Sequence, residues 1–209
     1  MEKLGIFGGT FNPVHNGHLS LCTQLSNALQ IPQVLLIPTA VPPHKRAPEL
    51  ADGAQRLAMC RLAAQTDPRF CACDLELRRQ GNSYTVETLR ELEMLYPHTQ
   101  FYLLMGTDMF LTVQNWYCAG EIFRRAILVT GARKKGEEEK LTEHLAFLQT
   151  LGASGAVIPC QVVEISSTQV RVARKQGRSI REMVPQAVER YIEENGLYLP
   201  EEGKVDGNG

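Results

Sequence analysis

The sequence predicts an α/β fold: one domain built on a doubly wound parallel sheet with helices on both faces. Three observations point there. Short apolar runs alternate with amphipathic stretches from one end of the chain to the other, the pattern of parallel strands joined by crossover helices. The 209 residues, at about 150 per domain, suit one large domain or two small ones, and no linker or internal repeat divides them. Hydrophobic content of 44% and charged content of 22% are those of an ordinary globular chain. At this length about 70% of the unfolded surface can be buried, so neither disulfides nor a metal is needed to hold a core.

Residues 3–7, KLGIF, read as a buried strand feeding the tight turn Gly8-Gly9. Leu19, Cys22, Leu25 and Leu29 share one face of a helix, with Asn16 as its expected N-cap. Pro32 closes that helix, residues 34–37 form the second strand, and a proline-rich loop follows. Asp52 and Gln55 are spaced as a capping box for a second helix, whose inner face is Leu57, Cys60 and Ala64. Residues 71–77 alternate as a strand. Residues 85–96 are helical, with Val86, Leu89, Leu92 and Met94 or Leu95 inward, and Pro97 stops them. Strands are expected at 101–105, 126–130, 157–158 and 162–165. Helices are expected at 137–151, 167–176 and 185–195, the last two ended by Gly177 and Gly196. This order makes the fold Rossmann-like over residues 1–199, with 200–209 as a disordered tail.

Composition also excludes function classes. The formal net charge is −1, so nucleic acid is not expected as a partner. The six cysteines (Cys22, Cys60, Cys71, Cys73, Cys118 and Cys160) contain no C-x-x-C pair. They read as small buried hydrophobes in a reducing compartment. No targeting segment stands before Lys3, and the apolar runs are far too short to span a bilayer. The expectation is a cytoplasmic protein with no membrane partner, and a homo-oligomer is left open.

Ligands in such folds bind beyond the C-terminal ends of the strands, so the segments just after strands carry the chemistry. The first is 8–18, GGTFNPVHNGH. Gly8 and Gly9 let the backbone approach a ligand. His15 and His18 are three apart at a helix start, where anions are already favoured, which makes a phosphate site a more natural reading than a metal site. Gly17 leaves room for a substrate against the helix. A plain strand–turn–helix with two surface histidines has the same composition. The segment is neither a Walker A loop nor G-x-G-x-x-G. The second segment is 165–171, ISSTQVR. Hydroxyls and free N–H groups at a helix start can cradle phosphate, and Arg171 lies one turn further on. Serine N-capping alone would give the same cluster; two anion-suited helix starts together favour a triphosphate.

GGTFNPVHNGH resembles the H-x-G-H signature of the nucleotidyltransferase superfamily, and 165–171 resembles its partner motif I-S-S-T-x-x-R. Within it, the chain is similar to the bacterial nicotinate-nucleotide adenylyltransferases from Lys3 to about Leu199. Pro42-Pro43-His44-Lys45, Tyr84-Thr85, Gly106-Thr107-Asp108 and Trp116-Tyr117 match that family's landmarks in order. Asn12 departs from it, where Asp is frequent, and so does Arg133-Lys134-Lys135-Gly136, where an arginine is often followed by Pro-Gly.

The resemblance implies adenylyl transfer from ATP to nicotinate mononucleotide, giving the dinucleotide and pyrophosphate. His15, His18 and Arg171 would be catalytic. Gly8, Gly9, Thr10, Phe11, Gly106, Asp108, Ile165, Ser167 and Thr168 would bind ATP, with Asp108 on the ribose. His44, Lys45, Tyr84, Thr85, Trp116, Tyr117 and Arg133 would bind the mononucleotide, with Trp116 stacked on the pyridine. Mg²⁺ would ride on the phosphates with few or no protein ligands. Competing readings are phosphopantetheine adenylyltransferase, for which Tyr84-Thr85 and Trp116-Tyr117 have no role, and a nucleotide-binding regulator without turnover. A third is an interaction module docking through 137–151, although that charged face suits water better.

Overall fold

In the computed structural model, residues 2–40, 50–79, 81, 83–132, 135–161 and 163–200 are described. Six strands form one parallel sheet: β1 (Glu2–Gly9), β2 (Val34–Pro38), β3 (Phe70–Ala72), β4 (Thr99–Met105), β5 (Ala126–Ala132) and β6 (Gly155–Pro159). Their order across the sheet is β3-β2-β1-β4-β5-β6. β1 is central, pairing Gly5 with Val34 on one side and with Tyr102 on the other. The direction of strand addition therefore reverses between β1 and β4, which opens a crevice at their C-terminal ends.

The helices are α1 (Asn16–Leu29), α2 (Gly53–Ala64), α3 (Thr85–Leu95), α4 (Thr107–Phe110), α5 (Ala119–Arg125), α6 (Lys135–Thr150), α7 (Ser167–Lys175) and α8 (Gln186–Glu194). Side chains alternate along the strands and divide the interior in two. Phe7, Val34, Leu36, Leu104 and Val129 pack with residues of α1, α2, α7 and α8. Leu4, Ile6, Leu35, Ile37, Leu103 and Leu128 pack on the other face with residues of α3, α5 and α6. The doubly wound architecture expected from the alternation is therefore present. No described helix is long and apolar enough to cross a membrane.

Several local expectations are corrected. The N-cap of α1 is His15, not Asn16, whose Nδ2 instead donates to the carbonyl of Glu182 at 3.1 Å. β3 stops at Ala72 rather than running to residue 77, because the chain turns there, with Arg78 N–H donating to Asp74 O. Ala63, not Ala64, completes the buried face of α2. Met94 and Leu95 are exposed, since Leu89 and Leu92 already fill the space under α3. No strand forms at 163–165, where the N–H of Ile165 closes a three-residue turn on Val163 O at 2.9 Å; residue 162 lies outside the described residues. The short helices α4 and α5 lack the length that periodicity needs to reveal them. Only Cys22 and Cys60 are buried, while Cys71, in the middle of the edge strand β3, and Cys118, the N-cap of α5, are exposed.

Candidate active site

The segment after β1 enters the crevice and turns into α1. Phe11 takes a left-handed φ of 48° and Asn12-Pro13 is cis. His15 and His18 then face each other with ring centroids 3.6 Å apart and planes 23° from parallel. They form a reciprocal capping box. The N–H of His18 donates to Nδ1 of His15, and the N–H of His15 donates to Nδ1 of His18, each at 3.3 Å. Because each Nδ1 accepts, a neutral ring carries its proton on Nε2. The cap thus fixes both tautomers and orients two N–H donors. Phe7 and Phe11 meet the His18 ring edge-on, at 5.9 and 5.2 Å. Phe11 is buried beneath this pair, so its side chain supports His18, and only its backbone is left to meet a ligand. Gly17 serves a different purpose from the room expected for substrate. A Cβ there would lie 3.0 Å from His15 Nδ1 and 3.1 Å from Ile165 O, so glycine lets α1 approach both.

The second motif closes on the first. Ser166 caps α7 through Gln169. Ser167 Oγ donates to Pro13 O at 2.9 Å, and Arg171 Nη1 donates to Asn12 O at 2.8 Å. Arg171 Nη2 reaches Thr168 Oγ1 at 3.3 Å. Three bonds therefore gather Ser167, Thr168 and Arg171 at the histidine loop. Asn12 is itself held: its Oδ1 accepts from Ala51 N at 3.1 Å and from Tyr198 Oη at 2.8 Å. At the end of β4, Gly106 is the N-cap of α4, and Asp108 is exposed in the first turn.

A separate group assembles where α3 meets α5. The rings of Tyr84 and Tyr117 stand 4.7 Å apart. Thr85 is the first residue of α3, so its N–H has no partner within the helix. Trp116 is partly buried and packed against the core, with Tyr117 beside it exposed. Glu121 of α5 binds Arg90 of α3 at 2.8 and 2.5 Å, and Arg125 bridges Glu121 to Glu93. These ions hold the two helices in register. Beneath α3, Glu76 is buried and accepts from Thr88 Oγ1 at 2.7 Å. Burial pushes its acid up from the ordinary value, and the Thr88 and Ser83 hydroxyls offset that in part.

A match to the Cytidylyltransferase-like family spans residues 6–173. A protein of Synechococcus sp. (strain JA-3-3Ab), named probable nicotinate-nucleotide adenylyltransferase, is 40% identical over 199 residues, 95% of each chain. Its namesake from Geobacillus thermodenitrificans is 36% identical over 200 residues, 95% of this chain and 87% of its own. The chain belongs to the nicotinate-nucleotide adenylyltransferase family. A solved Plasmodium falciparum nicotinic acid mononucleotide adenylyltransferase, complexed with NaAD, shares the fold with a TM-score of 0.77. It is 18% identical, over 95% of this chain and 98% of that one.

Of the residues that resemblance to the family singled out, the structure gathers His15, His18, Ser167, Thr168 and Arg171 at one end of the crevice, and Tyr84, Thr85, Trp116 and Tyr117 at the α3–α5 junction. Gly8 and Gly9 are the last two residues of β1, paired with Ile37 and Pro38 of β2, rather than the tight turn expected, because the ladder with β2 runs on to the end of that strand. Thr10, Gly106, Asp108 and Ile165 lie in segments that follow strands β1, β4 and β6. His44, Lys45 and Arg133 lie outside the described residues. Sequence reading missed Arg56, Glu76 and Tyr198. The signal for Arg56 was a charge on the inward stripe of α2, next to Cys60 and Ala63.

Proposed function

We propose that residues 1–199 form one domain that joins ATP and nicotinate mononucleotide into nicotinate adenine dinucleotide, releasing pyrophosphate. The observation that carries this reading is the reciprocal cap of His15 and His18, on a loop whose Pro13 and Asn12 carbonyls accept from Ser167 and Arg171. The reaction is in-line attack of the mononucleotide 5′-phosphate on the α-phosphorus of ATP. Nucleophile and leaving group are already reactive, so the protein supplies position and charge rather than a nucleophile of its own. The Nε2–H donors of His15 and His18 offset negative charge on the triphosphate as it builds. Arg171, with Ser167 and Thr168, holds the departing pyrophosphate. Gly8, Gly9 and Thr10 bring the backbone at the end of β1 close to the phosphates, and Asp108 accepts from the ribose hydroxyls.

The donors here are imidazole, guanidinium and hydroxyl, which suit phosphate oxygens. No group of three metal-ligating side chains occurs among the described residues. That donor set fits Mg²⁺ held by the phosphates and water, where it would lower the charge of the triphosphate.

Trp116 stacks on the pyridine ring, and the N–H groups of Thr85 and Tyr117 receive the nicotinate carboxylate. Two such donors prefer a carboxylate to a carboxamide, whose NH₂ would point one donor at another. Pyrophosphate release with nicotinate mononucleotide, nicotinamide mononucleotide and phosphopantetheine, each with ATP and Mg²⁺, tests this. Release with the nicotinate form above all is expected. Release with phosphopantetheine instead would keep the phosphate motifs and discard the role of Trp116.

A further inference from the structure

We propose that Arg56 is a positioning residue for this reaction, holding the phosphate loop after β1 in register with the segments that follow β2 and precede α2. The inference rests on the function just proposed. Arg56 is 1% exposed and heads the fully buried side chains by size. Its guanidinium donates only to backbone carbonyls: Nε to Ala51 at 3.0 Å, Nη1 to Thr10 at 2.9 Å and Thr39 at 2.7 Å, and Nη2 to Ala40 at 3.2 Å. Four bonds therefore reach three separate stretches of chain. A planar fork can do this; a lysine ammonium, with three donors on one atom, cannot.

No carboxylate bonds to this cation among the described residues, and burial pulls its pKa down from the usual value. A buried charge without an acidic partner costs stability. What Arg56 gains in return is its reach to both sides of the crevice. Ala51, whose carbonyl it holds, donates its N–H to Asn12 Oδ1, and the Asn12 carbonyl accepts from Arg171. Ala40, whose carbonyl it also holds, donates its N–H to Ser83 Oγ at 2.9 Å, next to Tyr84 and Thr85. One buried side chain is thus joined to the triphosphate residues and to the pyridine residues. Its charge also lies directly under a loop built for an anion.

Arg56→Lys and Arg56→Ala, each compared with wild type, provide the test. Fraction folded is followed by thermal melting, turnover by pyrophosphate release, and nucleotide binding by calorimetry with a non-hydrolysable ATP analogue. In Arg56→Lys that melts cooperatively, kcat per folded molecule should fall, and the analogue Kd rise, each by about tenfold or more. In Arg56→Ala, guanidinium at millimolar, sub-denaturing concentration should recover turnover that wild type does not gain. Wild-type kcat and analogue affinity per folded Arg56→Lys molecule would overturn the proposal. If Arg56→Ala does not fold, Arg56→Lys alone decides. A wild-type protein that binds the analogue yet turns over no nicotinate mononucleotide would overturn the function reading instead, while the analogue affinities would still judge Arg56.

Discussion

Nη1 of Arg171 donates to the carbonyl of Asn12 across 2.8 Å, and 159 residues of sequence separate the two. The histidine loop and the start of α7 are therefore one hydrogen-bonded unit rather than two segments that happen to share a crevice. Changes at either motif should register at the other.

His15 both caps α1 and presents a donor, and the two roles separate by substitution. His15→Ala should lose a cap worth about 0.5–2 kcal/mol as well as turnover. His15→Asn offers an oxygen to the same N–H, so melting temperature should return toward wild type while kcat stays low. His18→Ala should lower kcat by about 10²–10³-fold. Near-wild-type turnover in His18→Ala, measured by pyrophosphate release, would remove His18 from the site.

Gly17→Ala places a methyl at 3.0 Å from His15 Nδ1 and 3.1 Å from the Ile165 carbonyl. The imidazole must tilt to admit it. Turnover should fall on the order of 10–10²-fold with a smaller relative change in thermal stability. A variant whose melting temperature collapses while activity per folded molecule holds would show that the contact is packing alone.

On the proposed reading, Trp116→Ala would remove a stack on the pyridine worth about 0.5–1.5 kcal/mol, roughly a 2- to 13-fold change in affinity. The expected effect is on KM for the mononucleotide, with KM for ATP changing less. Equal rises in both would assign Trp116 to the core packing it also makes with the α3–α5 side of the sheet.

Glu76 binds its proton more tightly in the folded chain, because burial raises its pKa. The stability linked to that proton is complete below the unfolded carboxylate range and is lost as pH rises through the folded value. Glu76→Gln has no proton to lose, and its amide oxygen still accepts from Thr88. It should melt above wild type near neutral pH, and the gap should close by about pH 4. Calorimetry across that range checks the sign. A variant less stable at neutral pH would mean that attraction to Arg79, which donates to Thr88 Oγ1 at 2.8 Å, outweighs burial.

What could be read in the sequence divides along a physical line. The alternation of strands and helices was legible in the hydrophobic pattern. The two motifs that carry His15, His18 and Arg171 stood out through their resemblance to a family signature, since residue type alone fits plain helix capping as well; their meeting through Pro13 and Asn12 is what the structure adds. Arg56, Glu76 and Tyr198 were not legible. Their partners are carbonyls, hydroxyls and an amide supplied by distant segments, and no local pattern encodes such a meeting. Met94 and Leu95 show the reverse case. Their apolar character and period suggested burial, yet α3 ends at Leu95 and Leu89 and Leu92 already occupy the interior.

The bond from the Tyr198 hydroxyl to Asn12 spans 186 residues. On a ribosome the histidine loop emerges well before Tyr198. At about 5–20 residues per second, the loop waits on the order of 10–40 s for that donor. A nascent chain can carry both phosphate motifs, already paired through Arg171, and still lack one of the two bonds that hold the Asn12 side chain. The order of synthesis thus makes the turn that carries Tyr198 a late arrival at the loop it helps to hold.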